Sequence, residues 1–277
     1  MTINMKRVFK WLGTLFLFLL SLPIITLSAL YMPPIQQWIG EKAMLHLSAQ
    51  TGYTCSLEHI RLRFPLRMHI SNLRLADDRS TLVSIGQIGV SARLRPLWQG
   101  EAVAHYINIE GVTLHTDTLL RNIEINGTAS HIRLDDIRFK WKEHALRLNR
   151  IGITDSQLDV TKFIAKESPR DTRHSTPFVT SVNSIKIARS SFSYIDSQRE
   201  IFGDIPTLAL QSLEIDTLHA LSLQRGILRE GQLYYKPAAP DKSDWHFMDI
   251  NCNTDSLLLM PDERSGIVSS LTLRERH

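Results

Sequence analysis

Eleven histidines, at 46, 59, 69, 105, 115, 131, 144, 174, 219, 246 and 277, are the residues most able to do chemistry here. Metal binding or general-base work would need them paired, for instance as two His at i,i+4 on one helix face or a His near a nucleophile motif. No two are four apart, and several fall at alternating positions of strand-like segments, which reads as surface or packed histidine. H-E-x-x-H, G-x-S-x-G, G-x-G-x-x-G and the Walker loop are all missing. Asp77-Asp78 and Asp135-Asp136 could ligate a cation, but both pairs fall at expected bends, where Asp is favoured for backbone reasons. Cys55 and Cys252 could pair in an oxidising compartment; far apart in different β sections, they read more simply as buried free thiols. Asn126-Gly127-Thr128 fits a glycosylation sequon, though Asn-Gly is more simply a turn. Lys140-Trp141-Lys142 reads as a solvated strand edge where lysines discourage pairing. The expectation is a protein with no catalytic residues, no metal and no cofactor, and not an enzyme.

Composition points the same way. Hydrophobic residues make up 43% and charged residues 22% of 277, as in a folded chain rather than a disordered one. Two cysteines exclude a disulfide-stapled fold and multi-cysteine clusters. Lys+Arg 32 against Asp+Glu 28 leaves a net charge of +4 spread along the chain, so no nucleic-acid partner is expected.

The elements that must position any site begin with a membrane anchor. Lys6, Arg7 and Lys10 precede 21 residues, Trp11 to Tyr31, that contain no Asp, Glu, Lys or Arg. As a helix centred on Leu20 this run is about 31 Å long, close to the bilayer core. Trp11 and Tyr31 lie where aromatic rings favour the interface, and the positive flank should stay in the cytoplasm. An uncleaved single span with the remainder exported is expected; a cleaved signal ending near Leu27-Ser28-Ala29 is the alternative. Pro33-Pro34 then open a second helix, residues 32–52, with Ile35, Trp38, Ile39, Leu45 and Ala49 on one broad face and Gln37, Glu41 and Ser48 opposite. That apolar face either lies on a membrane surface or, more simply, caps the core that follows.

After Tyr53 the period is that of strands. One unit, apolar-x-apolar-x-x-apolar-x-apolar, recurs as MHISNLRL (68–75), VSIGQIGV (83–90), INIEGVTL (107–114), IRLDDIRF (132–139), LRLNRIGI (146–153) and LALQSLEI (208–215). Alternation slips by one residue at its middle pair, which is polar or Gly: Ser71-Asn72, Gly86-Gln87, Glu110-Gly111, Asp135-Asp136, Asn149-Arg150 and Gln211-Ser212. A slip would throw half the apolar set to the other face unless a bulge absorbs the extra residue and bends the strand. The expectation is an elongated, curled sheet of repeatedly bent strands whose apolar face could close as a barrel, stack as a sandwich or stay open as a trough. Two β sections, 53–161 and 178–277, flank a flexible polar loop, 162–177; the second section still alternates at residue 277, as if it continued.

The ordered features of residues 5–115 resemble the N-terminal part of the AsmA-like family, in particular its TamB (translocation and assembly module inner-membrane subunit) branch. They comprise a charged start, a single span, a helix, Thr51-Gly52-Tyr53, FPLRMHISNLRLAD (64–77), Thr81-Leu82, VSIGQIGVSARLRPLWQGEA and YINIEGVTLH. The resemblance implies a U-shaped groove, or β-taco, anchored in the bacterial inner (plasma) membrane with its bulk in the periplasm. It implies outer-membrane biogenesis by phospholipid transport along a greasy trough. The alternative is a scaffold aiding outer-membrane protein insertion and protein secretion with a β-barrel partner of the Omp85 type. On the trough reading, Met68, Ile70, Leu73, Leu75, Ile107, Ile109, Val112 and Leu114 would contact lipid, and Trp11, Leu20 and Tyr31 would anchor the chain.

Overall fold

The computed structural model describes residues 31–64, 66–77, 80–93, 95–116, 123–163, 179–215, 221–238, 243–260, 265–268 and 270–274, with 18, 21, 22, 28 and 29. Trp11, Leu20 and most of the expected span lie outside these residues, as does nearly all of the expected loop at 162–177. Among the described residues no helix is long and apolar enough to cross a membrane.

Helix α1, Pro33–Thr51, starts on its two prolines and stops at Gly52, whose left-handed φ of 76° lets its N–H bond Ser48 O at 3.0 Å. The strands follow: β1 Thr54–Ser56, β2 His59–Arg63, β3 Arg67–Ala76, β4 Thr81–Arg93, β5 Glu101–His115, β6 Ile123–Lys140 and β7 Ala145–Lys162, then β8 Val179–Ile195, β9 Arg199–Ile215, β10 Leu221–Pro237, β11 Trp245–Thr254, β12 Leu257–Met260, β13 Ser265–Val268 and β14 Leu271–Arg274. They form one long curled sheet, unclosed among the described residues, which excludes a closed barrel there. From β3 to β11 neighbours in sequence are neighbours in the sheet and pair antiparallel, except that β7 and β8 run parallel, from Ala145↔Val179 to Thr161↔Ile195; β1 and β2 both pair β3, β14 pairs β11, and β12 joins β10 to β13. Strands on both sides of residues 164–178 therefore belong to the same sheet.

The helix does not cap the core with its apolar face. The residues it turns inward are Gln36 and Gly40, both buried, and half-buried Ser48. Gln36 Nε2 donates to Leu62 O, and its Oε1 accepts from Leu62 N, both at 2.9 Å; the side-chain amide thus completes the free edge of β2 as a strand would. Ser48 Oγ accepts from Cys55 N at 2.8 Å and does the same for β1. A Cβ on Gly40 would come within 2.9 Å of Ile60 Cγ2, so the contact requires glycine. Trp38 and Leu45, by contrast, are 59% and 63% exposed. The helix docks through these hydrogen bonds to a strand edge, whose N–H and C=O groups need partners, and through the close seat of Gly40 on Leu57 and Ile60.

Two short motifs are placed differently from their local expectation. Asn126-Gly127-Thr128 is no turn: it lies within β6, paired with β5 on one side and β7 on the other. Lys140-Trp141-Lys142 is not a strand edge but the turn closing β6 onto β7, with Lys140 Nζ 2.8 Å from Glu143 Oε1. Long-range pairing overrides the local turn preference of Asn-Gly in the first case.

Candidate functional site

The site is a surface rather than a pocket of catalytic groups. Residues directly opposite in a ladder share a face, so the register assembles rows. One runs Ile70–Ile88–Ile109–Ile132–Ile153 and continues Ile187–Leu208–Leu228–Cys252, crossing nine strands from β3 to β11. Beside it, Met68, Val90, Ile107, Leu134, Ile151, Ile185 and Leu210 form a second. Leu73–Ile85–Val112 and Leu75–Val83–Leu114 begin two more. Eight inter-strand steps make the first row about 38 Å long, and the residues from Met68 to Leu75 add about 23 Å of width. The full four-row width is apolar on β3 to β5; further along, Ala129, Ser156 and Ser190 take the place of the third row, and the two longer rows carry the apolar face onward.

The rows stay on one face because the slips stay in register. On β3 and β4 the pairs Ser71↔Gln87 and Leu73↔Ile85 flank an unpaired opposition of Asn72 and Gly86; on β4 and β5 Gly86 likewise faces Gly111. Asn72 and Gly111 have left-handed φ of 52° and 65°. The same line continues through Asp155, Arg189 and Glu230, all with positive φ. A second line passes Asp136, Asn149, Asn183 and Ser212. Each line is a crease at which every strand changes phase together. Leu134 and Ile137, three apart across the second crease, belong to one cluster with Leu148 and Ile151, and with Val182 and Ile185. Ile205 and Leu208, three apart across the first, line one cleft. The slips thus keep both halves of a strand facing the same way. Ile107, Ile109, Val112 and Leu114 fall in these four rows.

Among the described residues no second layer lies over this face. The described hydrophobic residues that are fully buried are only Leu82, Ala129, Ile137, Leu148, Val182 and Leu223. All eight residues expected to contact lipid are half-buried, and Ile107 packs against the cluster of Ile137, Leu148 and Val182. An apolar recess of about 620 Å³ lies in the second β section between Phe192, Ile205, Leu208, Leu228, Leu233 and Phe247, with Ile250 and Cys252 beyond. None of these residues was among those expected to contact lipid, although LALQSLEI (208–215), which opens on Leu208, carries the same unit as the strands that were. The Ser156–Ser190 interruption is satisfied: Ser156 Oγ donates to Ser190 Oγ at 2.7 Å, and Ser190 Oγ donates to Ala188 O at 3.1 Å.

No other constellation competes. Among the described residues no three His, Cys, Asp or Glu side chains converge for a metal, and Cys55 and Cys252 are both free. Asp136 occupies a crease with positive φ, a geometric role, and Asp77 N–H bonds Ser80 O in the turn after β3. Charged groups decorate the opposite, polar face. Arg189 clamps Asp155 with Nε–Oδ1 at 2.6 Å and Nη2–Oδ2 at 2.8 Å, holding that carboxyl below its ordinary value and raising the guanidinium. Backbone N–H donation from Gln198 lowers Asp196, with Tyr194, Arg199 N–H and the Arg199 side chain adding to it. Tyr234 is raised by its 2.7 Å bond to Asp244. These are strand-end and cross-strand pairs in water, and none faces the apolar rows. The surface can shelter aliphatic chains; it presents no groups arranged to react with them.

No protein-family model matches the chain, and no curated protein matches it.

Proposed function

We propose that the protein is a membrane-anchored lipid-binding groove, carrying phospholipid between membranes with acyl chains lying against the apolar face of its curled sheet. The observation that carries this reading is the unbroken row of eight Ile and Leu residues from β3 to β10, ending on Cys252 of β11, with no covering layer among the described residues. Each CH₂ removed from water gains about 0.8 kcal/mol and needs no polar partner, so an acyl chain is the natural occupant of a wall lined mainly by Ile, Leu and Phe. In this reading the sheet curls toward this face and makes it the inside of a U-shaped trough. The uncharged run Trp11–Tyr31 supplies an inner-membrane anchor with the sheet in the periplasm. The work is transport rather than catalysis and uses no cofactor. The test is a photo-activatable residue at Ile109 and, separately, at Leu228 in the full chain in cells. Phospholipid adducts at both positions support the reading; adducts to protein alone refute it.

A second reading draws on a different observation. Among the described residues the outer edge of β11 is paired only over Asn251–Thr254, by β14, leaving Trp245–Ile250 open beyond β10. An open edge can receive a strand from a partner, as a scaffold working with an outer-membrane β-barrel would require. Proline substitution of alternate residues in 245–250 would abolish that partner's capture while leaving lipid adducts at Leu228 in place.

A further inference from the structure

Helix α1 is turned inside out. Gln36, Gly40 and Ser48 face the sheet, while Trp38, Ile39 and Leu45 face solvent, the first and last 59% and 63% exposed. Large aliphatic and indole side chains on the free side of a docked helix call for an apolar environment outside the protein. Phe64, in the turn between β2 and β3, is 77% exposed, and its ring meets that of Tyr31 edge-on at 6.4 Å. That contact ties the turn to the segment two residues before α1.

The β2–β3 hairpin adds charge. Arg63 and Arg67 are directly opposite in the ladder, and Arg61 lies two residues before Arg63. Like charges facing each other across a ladder repel. None of the three forms an ion pair or hydrogen bond among the described residues. They line an open cleft of about 400 Å³ with Met68, His69 and Tyr106, and no carboxylate forms part of its wall. Three uncompensated cations beside an exposed apolar helix match an interface whose inner layer is hydrocarbon and whose outer layer is phosphate. A second copy of the same face would bring arginine onto arginine.

We propose that α1 lies on the surface of an anionic phospholipid bilayer, with Trp38, Ile39 and Leu45 seated among the headgroups and Arg61, Arg63 and Arg67 holding lipid phosphate beside it. The chain itself supplies the reach: the uncharged run Trp11–Tyr31, about 31 Å as a helix, ends two residues before α1 begins. The inference shares that anchor with the groove reading but does not depend on lipid entering the sheet. It sets the first strands of the sheet against the membrane surface.

The test uses the full chain, with Cys55 and Cys252 replaced by Ser, reconstituted in phosphatidylethanolamine/phosphatidylglycerol vesicles. A single cysteine carries an environment-sensitive fluorophore, either at Leu45→Cys or, as a control, at Met248→Cys on β11, where the native side chain is exposed. The expected result is a blue-shifted position-45 probe, quenched by nitroxide lipid and reached by iodide at least threefold more slowly than the position-248 probe. Arg61→Gln/Arg63→Gln/Arg67→Gln should restore iodide access at position 45, surface attraction falling about fivefold per arginine. Equal iodide access at positions 45 and 248 overturns the proposal, as does a disulfide-linked dimer through position 45 or a triple variant identical to its parent. Lipid adducts at Leu228 with a water-exposed position-45 probe would leave the groove standing and remove this inference; the converse would do the opposite.

Discussion

Leu228→Asp and Leu148→Asp separate an open groove from a closed core. Leu148 is 8% exposed and packs in the cluster with Ile137 and Val182. Removing a buried leucine costs about 2–5 kcal/mol, and a carboxylate without a partner in that cluster adds several more. The total approaches the whole stability of an ordinary domain, about 5–15 kcal/mol, so Leu148→Asp should not fold. Leu228 lines the 620 Å³ cleft and is only half-buried. Roughly half of the 1.5–3 kcal/mol of a fully buried aliphatic side chain is at stake there, about 1 kcal/mol, and the new carboxylate still reaches water through the open side. Leu228→Asp should therefore fold with a slightly lower urea midpoint, yet repel acyl chains and lose lipid adducts at a neighbouring probe at least tenfold. The assay pairs far-UV circular dichroism in urea, on the full chain in lipid nanodiscs, with photo-crosslinking from Leu208. If Leu228→Asp unfolds as Leu148→Asp does, the face is covered in the native state and the groove argument is wrong.

Three further outcomes follow from the geometry. Gln36→Leu strips the paired hydrogen bonds from Leu62 N and O; about 2 kcal/mol of α1 docking should go, seen as faster limited proteolysis between α1 and β1 with the strand signal unchanged. Glu230 holds φ of 55°, a conformation costing an L-residue about 1 kcal/mol, so Glu230→Gly should raise the urea midpoint, and an unchanged or lower midpoint would show that the crease is unstrained there. Because Arg189 depresses Asp155, that pair stabilises fully above the unfolded carboxyl value near 3.8 and loses its effect as pH falls through the lower folded value. Both side chains are well exposed, so the effect is small; the stability gap between the parent and Asp155→Asn should be present at neutral pH and close below about pH 3.8. A gap that widens on acidification would contradict the assignment.

The sequence alone determined the local physics. Period-2 alternation with one slip marks strands whose two halves must face the same way, and the six units from MHISNLRL to LALQSLEI announce that without coordinates. Pro33-Pro34 and Gly52 likewise set the ends of α1 by backbone chemistry. What only tertiary structure decided depends on partners distant in sequence. Most strands from β5 to β10 bear two creases, and sequence showed one: at the other, small or polar residues such as Ala129, Ser156, Ser190 and Gly231 replace the large apolar flank that makes a slip visible. The parallel pairing of β7 with β8 is a matter of topology, invisible to alternation. Asn126-Gly127 reads as a turn until β5 and β7 pair on either side of it. The orientation of α1 was undecidable from its own residues, because a strand edge selects for hydrogen bonds and so chose Gln36 and Ser48 over Trp38 and Leu45. Residue periodicity tells which side chains share a face; what that face meets is set by where the chain brings its other segments.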